Sequence, residues 1–181
     1  MPYVGVLDAC VLHPMRLCDT LLRLADAGLY RAVWSREILD EMESSIVRRG
    51  YPEQAVRKRR RAMGNAFPDA MEANGFRYAG IVPAEVHLKD RHVAETAIAC
   101  KANVIVTENL KDLPAAPLAN LGIGVQAPDA FLAYQAGLDP ELVLRVLAEQ
   151  ASELDYPPLS LDELMNSMAT VYPTFIAALR A

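Results

Sequence analysis

No apolar run in this 181-residue sequence approaches the roughly 20 residues that a bilayer demands, so a membrane-spanning protein is not expected. Cysteine is scarce as well. Cys10, Cys18 and Cys100 are odd in number and lack the paired spacing of a zinc knuckle. That argues against a disulfide framework or a structural zinc, and reads the thiols as small buried side chains in a reducing cytoplasm. Cations are not in excess either: 18 Lys and Arg stand against 23 Asp and Glu, a net charge of −5. The chain as a whole is therefore no polyanion binder, and any nucleic-acid contact must come from a local patch. No basic segment precedes the first apolar run and Asp8 interrupts it, so no signal peptide is expected. Internal repeats and low-complexity segments are lacking too.

What is present is a hydrophobic content of 52%, enough for one compact domain with a full core, with or without a helical appendage. Short β-rich runs alternate with helical patterns. Strands are expected over Tyr3 to Leu7, Tyr30 to Trp34, Tyr78 to Val82, Asn103 to Thr107 and Gly124 to Gln126. Helices are expected over Pro14 to Ala27, Ser35 to Arg49, Pro52 to Asn65 and Asp90 to Lys101, with Ser35 and Asp90 as N-caps. This alternation implies an α/β fold, a parallel sheet wrapped by helices, over residues 1–127. From Pro128 onward the pattern is only helical. Asp139-Pro140 opens one helix, Ser160 to Glu163 forms a capping box for another, and Tyr156-Pro157-Pro158 separates the two. Residues 128–181 are thus expected to form a helical extension packed on or beside the sheet, with Leu142, Val143, Val146 and Leu147 on its apolar face. A dimer contact through that face is an open alternative.

Asp8 closes the apolar run Tyr3-Val4-Gly5-Val6-Leu7, which places a carboxylate at the carboxyl edge of a buried parallel strand, where ligands bind in such sheets. Three other segments offer acidic or amide groups. Glu41 borders the stripe of Ile38, Met42 and Ile46, with Glu37 one turn earlier as the fallback. Asp90 heads a helix whose near face carries Ala94 and Ala97. Asn109 and Asp112 follow the strand ending near Thr107, at the same edge as Asp8. Each has a bland reading, as N-cap, turn residue or solvated helix position. Together they form a set of hard oxygen donors suited to Mg²⁺ or Mn²⁺.

The segments Leu7-Asp8-Ala9-Cys10-Val11-Leu12, Ile38-Leu39-Asp40-Glu41-Met42, Asp90-Arg91-His92-Val93-Ala94 and Val106 to Pro114 resemble, in order, the successive motifs of PIN-domain nucleases, particularly VapC-type toxins. The resemblance implies a Mg²⁺- or Mn²⁺-dependent ribonuclease built on a central parallel sheet, and a cognate antitoxin protein that blocks its site. Carried over residue by residue, Asp8, Glu41 and Asp90 fall on the family's acidic triad. Asn109 falls where many members have another acid, a departure that leaves two alternatives: a weak second metal site, or Asp112 three positions later supplying the missing charge. Thr107 and Asn109 are expected to orient ligands or phosphate by hydrogen bonding. The alternative is a PIN-fold binding module with little catalysis. A phosphatase with Asp8 as nucleophile is disfavoured, because Cys10 stands where a second acid would help.

Seven of the 18 basic residues lie between Arg48 and Arg61, five of them consecutive. Arg57, Lys58, Arg59, Arg60 and Arg61 repel one another unless a polyanion compensates, and they are the expected contacts to an RNA backbone. A solvated helix face and a dock for an acidic antitoxin segment are the competing readings. His13, His87 and His92 are too dispersed to form a ligand set on sequence alone; His92 is close enough to Asp90 to touch substrate, with a helix-surface position as the preferred reading. Tyr30 and Trp34 are assigned to the core.

Overall fold

Val4, Gly5, Val6 and Leu7 are all buried, as a strand flanked on both faces must be, and this strand, β1 (Val4–Leu7), forms the middle of the sheet. It pairs in parallel with β2 (Arg31–Ser35), Gly5 opposite Ala32, and with β4 (Val104–Val106), Val6 opposite Ile105. β3 (Met71–Glu72) and β5 (Gly124–Gln126) complete a five-stranded parallel sheet in the order β3-β2-β1-β4-β5. Gly5 permits a close approach. A Cβ there would lie 3.3 Å from the Tyr30 ring and 3.6 Å from Val104. The computed structural model describes residues 3–72, 78, 80–154 and 158–181.

The chain fills one side of β1 first, through β2 and β3, and then crosses to the other side to lay down β4 and β5. The order therefore reverses between β1 and β4, and the crevice at their carboxyl ends is the topological switch point of an open α/β sheet. Asp8 sits in that crevice. Its backbone N–H donates to the carbonyl of Val106 at 3.1 Å, extending the β1–β4 ladder by one rung.

The helices fall close to their expected limits: α2 (Met15–Asp26), α3 (Arg36–Arg48), α4 (Glu53–Ala66) and α5 (Arg91–Ala99). The Ser35 hydroxyl caps α3 by accepting from the Ile38 N–H. Two short helices, α1 (Ala9–Leu12) and α6 (Ala115–Ala119), lie outside the expected set. The strand expected over Tyr78 to Val82 needs correction. One of its residues lies outside the described set. The others form tight turns, with the Ile81 N–H donating to the Tyr78 carbonyl at 2.9 Å, and the edge strand is Met71–Glu72 instead.

Residues 128 onward form α7 (Pro128–Leu138), α8 (Pro140–Ser152), α9 (Leu161–Ala169) and α10 (Pro173–Arg180). Asp139 caps α8 through the Leu142 N–H, and Ser160 and Glu163 make the expected capping box on α9. Two members of the expected break, Tyr156 and Pro157, lie outside the described residues. The helices share the core of the sheet. Phe131 meets the ring of the buried Tyr30 edge-on at 4.9 Å, and the Thr20 hydroxyl donates to Gln150 at 2.9 Å. Val143, Val146 and Leu147 are buried and Leu142 is half-buried. Trp34 is fully buried, as expected. No helix among the described residues is long and apolar enough to cross a membrane.

Candidate metal centre

Asp8 is only 4% exposed, and a buried carboxylate requires partners. It has three. The Ala9 N–H donates to Oδ1 at 2.6 Å, which makes Asp8 the N-cap of α1. The Thr107 hydroxyl donates to Oδ2 at 2.6 Å, and the Cys10 thiol donates to the same oxygen at 3.1 Å. Thr107 in turn accepts the Asn109 N–H at 2.9 Å, so the two strand ends are tied by one network.

Around this carboxylate the fold gathers the rest of the expected acidic set. Asp8, Glu41, Asp90, Asn109 and Asp112 line one cavity of about 540 Å³. Glu41 reaches it from α3. Asp90 enters from the single 3₁₀ turn Leu88–Asp90 that precedes α5. Asp90 is the residue before α5, as expected, but its side chain makes no capping bond, so the carboxylate remains available to the cavity. The Asn109 amide donates to Asp112 Oδ2 at 3.1 Å and, more weakly, to Asp90 Oδ2 at 3.4 Å. Glu37 is exposed and is not part of the lining, so the fallback register is not needed.

The carboxylates feel one another. Burial raises the pKa of Asp90 above the usual carboxylate range, and the charges of Asp8 and Asp112 raise it further. Glu41 is raised in the same way by burial, opposed by His92, with Asp8 and Asp90 adding to the rise. Such repulsion is relieved by a cation. The donors are carboxylate and amide oxygens, the type that holds hard divalent ions, so the residues fit Mg²⁺ or Mn²⁺.

The tightest grouping differs from the expected one. Among the described residues, His87, Asp90 and Asp112 bring one donor atom each within 4.8 Å of the others, whereas Asp8 and Glu41 are not in that set. Sequence reasoning misses His87, whose only signal is its place three residues before Asp90. For His92 the helix-surface reading needs correction and the one beside the site is favoured: its Nε2 is buried and lies 3.5 Å from Glu41 Oε2. Cys10 is a further miss. Read as an apolar filler, it lines the cavity, accepts the Glu108 N–H at 3.2 Å, and has its thiol pKa pushed up to about 12 by burial and the neighbouring Asp8 charge. Its place two residues after Asp8 is the available clue. Ala9, His13, Ser44, Ser45, Arg48 and Lys89 complete the lining.

The basic run is split by the helical period. Val56, Arg59, Arg60 and Met63 form one face of α4, and Arg57, Lys58 and Arg61 the other. Arg59 turns inward and donates to the carbonyls of Leu12 and His13 at the end of α1. Arg60 bridges Asp40 at 2.5 Å and Glu43 at 2.7 Å on α3. Arg57 pairs with Glu53 on its own helix, and Lys58 and Arg61 are exposed.

A parallel sheet with acidic residues converging on its switch point makes this an α/β protein whose arrangement resembles the PIN type. Comparison with known proteins narrows this. Residues 128–181 match the family model described as the VapC50 C-terminal domain. Over 109 residues the chain is 34% identical to a protein of Mycobacterium tuberculosis (strain ATCC 25618 / H37Rv) named "Putative ribonuclease VapC50", in an alignment that covers 60% of this chain and 64% of the relative. The chain thus spans a little under two thirds of the length of the curated relative it matches. No solved structure gives a significant match. Over these stretches the chain is similar to VapC-type PIN-domain proteins.

Proposed function

We propose that this protein is a divalent-metal-dependent endoribonuclease, the toxin of a toxin–antitoxin pair, hydrolysing RNA phosphodiester bonds in the cytoplasm. The observation that carries the reading is the buried Asp8 carboxylate at the switch point, facing a cavity shared with Glu41, Asp90 and Asp112. The name of the mycobacterial relative supports the ribonuclease class. Residues 1–127 serve as the nuclease unit and 128–181 as its helical extension, in line with the family match that begins at residue 128.

In this reading Asp8, Glu41, Asp90 and Asp112 hold the cation. A bound divalent ion supplies an activated water and stabilises charge on the phosphoryl oxygens. Thr107 fixes the rotamer of Asp8, so this ligand needs no reordering when substrate arrives. Asn109 donates between Asp90 and Asp112, holding two repelling carboxylates in place without adding charge of its own. Arg48 and Lys89 put positive charge on the cavity wall, where an RNA phosphate must enter. Arg57, Lys58 and Arg61 extend the backbone contact along α4, and the same cations suit an acidic antitoxin segment.

The test is cleavage of total RNA with and without Mg²⁺ or Mn²⁺. Asp8→Asn and Asp90→Asn should each lower the rate by at least about 100-fold while circular dichroism stays unchanged, since loss of even an outer metal partner costs about 10–100-fold. Undiminished cleavage by a soluble Asp8→Asn protein, or no cleavage by the wild type with either ion, would return the chain to a PIN-fold binding module.

A further inference from the structure

We propose that His87 is a nitrogen ligand of the cation held by Asp90 and Asp112, and that it tunes the centre toward Mn²⁺ over Mg²⁺. The inference rests on the reading above, in which the acidic cavity holds a divalent ion. His87 stands beside that cavity without lining it, so it adds a donor that the oxygen set lacks.

Three features place the imidazole. A donor atom of His87 lies within 4.8 Å of one carboxylate oxygen from each of Asp90 and Asp112, and the His87 Nδ1 to Asp90 Oδ2 distance is 3.8 Å, beyond direct hydrogen bonding. The ring is oriented, because Nδ1 accepts the Lys89 N–H at 3.3 Å as the cap of the 3₁₀ turn. That bond is long and weak, and because Nδ1 has a single lone pair, coordination through Nδ1 would exchange the Lys89 contact for the cation. Backbone bonds hold the two segments together: the His87 N–H donates to the Asp112 carbonyl at 2.9 Å, and the Asp90 N–H donates to the His87 carbonyl at 2.9 Å. The three donors therefore come from a braced corner and not from a chance meeting of long side chains. His87 remains 49% exposed, which leaves the ring free to adjust toward an ion.

The chemistry follows from donor type. Carboxylate and water oxygens suit Mg²⁺, which demands near-ideal octahedral geometry, whereas an imidazole nitrogen favours Mn²⁺ and the later divalent metals. Replacing one oxygen position by nitrogen therefore shifts the ratio of affinities without requiring any change in the acidic residues.

Pulsed electron paramagnetic resonance of Mn²⁺ added to the full chain reads this directly, since a coordinated imidazole imprints nitrogen modulation on the metal signal. Wild type should show it, His92→Asn should keep it, and His87→Asn should lose it while still binding Mn²⁺, because Asn retains an oxygen acceptor for the Lys89 N–H. His87→Ala should weaken Mn²⁺ binding by about tenfold or more, with a smaller effect on Mg²⁺. Bound Mn²⁺ without nitrogen modulation, or modulation that survives His87→Asn, overturns the role of His87 and leaves the acidic centre standing. Absence of Mn²⁺ binding in the wild type overturns both.

Discussion

Thr107 donates its hydroxyl to the buried Asp8 carboxylate at 2.6 Å, joining the residues that follow β4 and β1 across the point where the strand order reverses. The same hydroxyl oxygen accepts the Asn109 N–H at 2.9 Å, so one side chain fixes the rotamer of the central acid and the path of the loop toward Asp112.

Thr107→Val should separate that role from simple packing. Valine keeps the shape but leaves the Asn109 N–H unpaired and deprives Asp8 of a donor, a cost of about 1–3 kcal/mol. Thr107→Ser keeps both bonds and loses one methyl, with the smaller cost of about 1 kcal/mol typical of such deletions. Urea denaturation measures the stabilities, and Mn²⁺ titration should show weaker binding in the valine variant only. Equal cation affinity in both would remove Thr107 from the positioning of Asp8.

The raised pKa values of Asp90 and Glu41 fix the sign of a pH effect. A carboxyl whose folded pKa lies above its unfolded value binds protons more tightly in the native state. Its contribution is fully present below the unfolded pKa, near 4 for such groups, and is lost as pH rises through the folded pKa. The metal-free protein should therefore lose stability as pH climbs from about 4 toward neutral, and millimolar Mg²⁺ or Mn²⁺ should restore it. Asp90→Asn should flatten that loss, melt closer to or above the wild type at pH 7, and gain less from added metal. Thermal melts across pH, with and without Mn²⁺, check all three. A wild type and variant that respond alike would break the link between these carboxylates.

Gln135 supplies an unrelated test within the helical extension. It is fully buried in α7, and among the described residues neither its amide oxygen nor its amide nitrogen has a hydrogen-bond partner. A buried polar group left unsatisfied costs about 1–3 kcal/mol, so Gln135→Met, which is similar in volume and apolar, should stabilise the protein by an amount of that order. A lower denaturation midpoint would mean that the amide is satisfied in solution by ordered water.

The legible parts of this molecule are those whose signal is local. The apolar run ending in Asp8, the Ser35 cap and the Ser160 capping box each declare themselves within a few residues, and all occur as read. Met71–Glu72 gives no such signal. It is two residues long, with Met71 exposed, and it is a strand only because Trp34 and Ser35 offer it a parallel edge. The grouping of His87 with Asp112 is hidden for a similar reason, since a backbone bond between distant segments creates it. The apolar neighbours of Cys10 suggest core, while its thiol points to Asp8. In the basic run, the density of charge masks a helical period that the sequence nonetheless carries.

That period gives the last prediction. Arg59 and Arg60 belong to the face of α4 that also buries Val56 and Met63, and their guanidinium groups are spent on the α1 carbonyls and on Asp40 and Glu43. Arg59→Gln should therefore destabilise the fold by about 1.5–3 kcal/mol, the range for hydrogen bonds to a charged group. Lys58→Gln and Arg61→Gln lie on the exposed face and should change stability by no more than about 0.5 kcal/mol. RNA binding should show the reverse order. Each cation that neutralises a phosphate of a single strand adds about 0.7 to the steepness with which log affinity falls against log salt, so the Lys58→Gln, Arg61→Gln double variant should bind more weakly at low salt and with a shallower slope. Fluorescence anisotropy with a labelled oligoribonucleotide, read in an Asp8→Asn background in the absence of added metal, measures this apart from any cleavage. If the slope is unchanged, the outer face of α4 does not meet RNA, and its cations serve the proposed antitoxin contact or solubility instead.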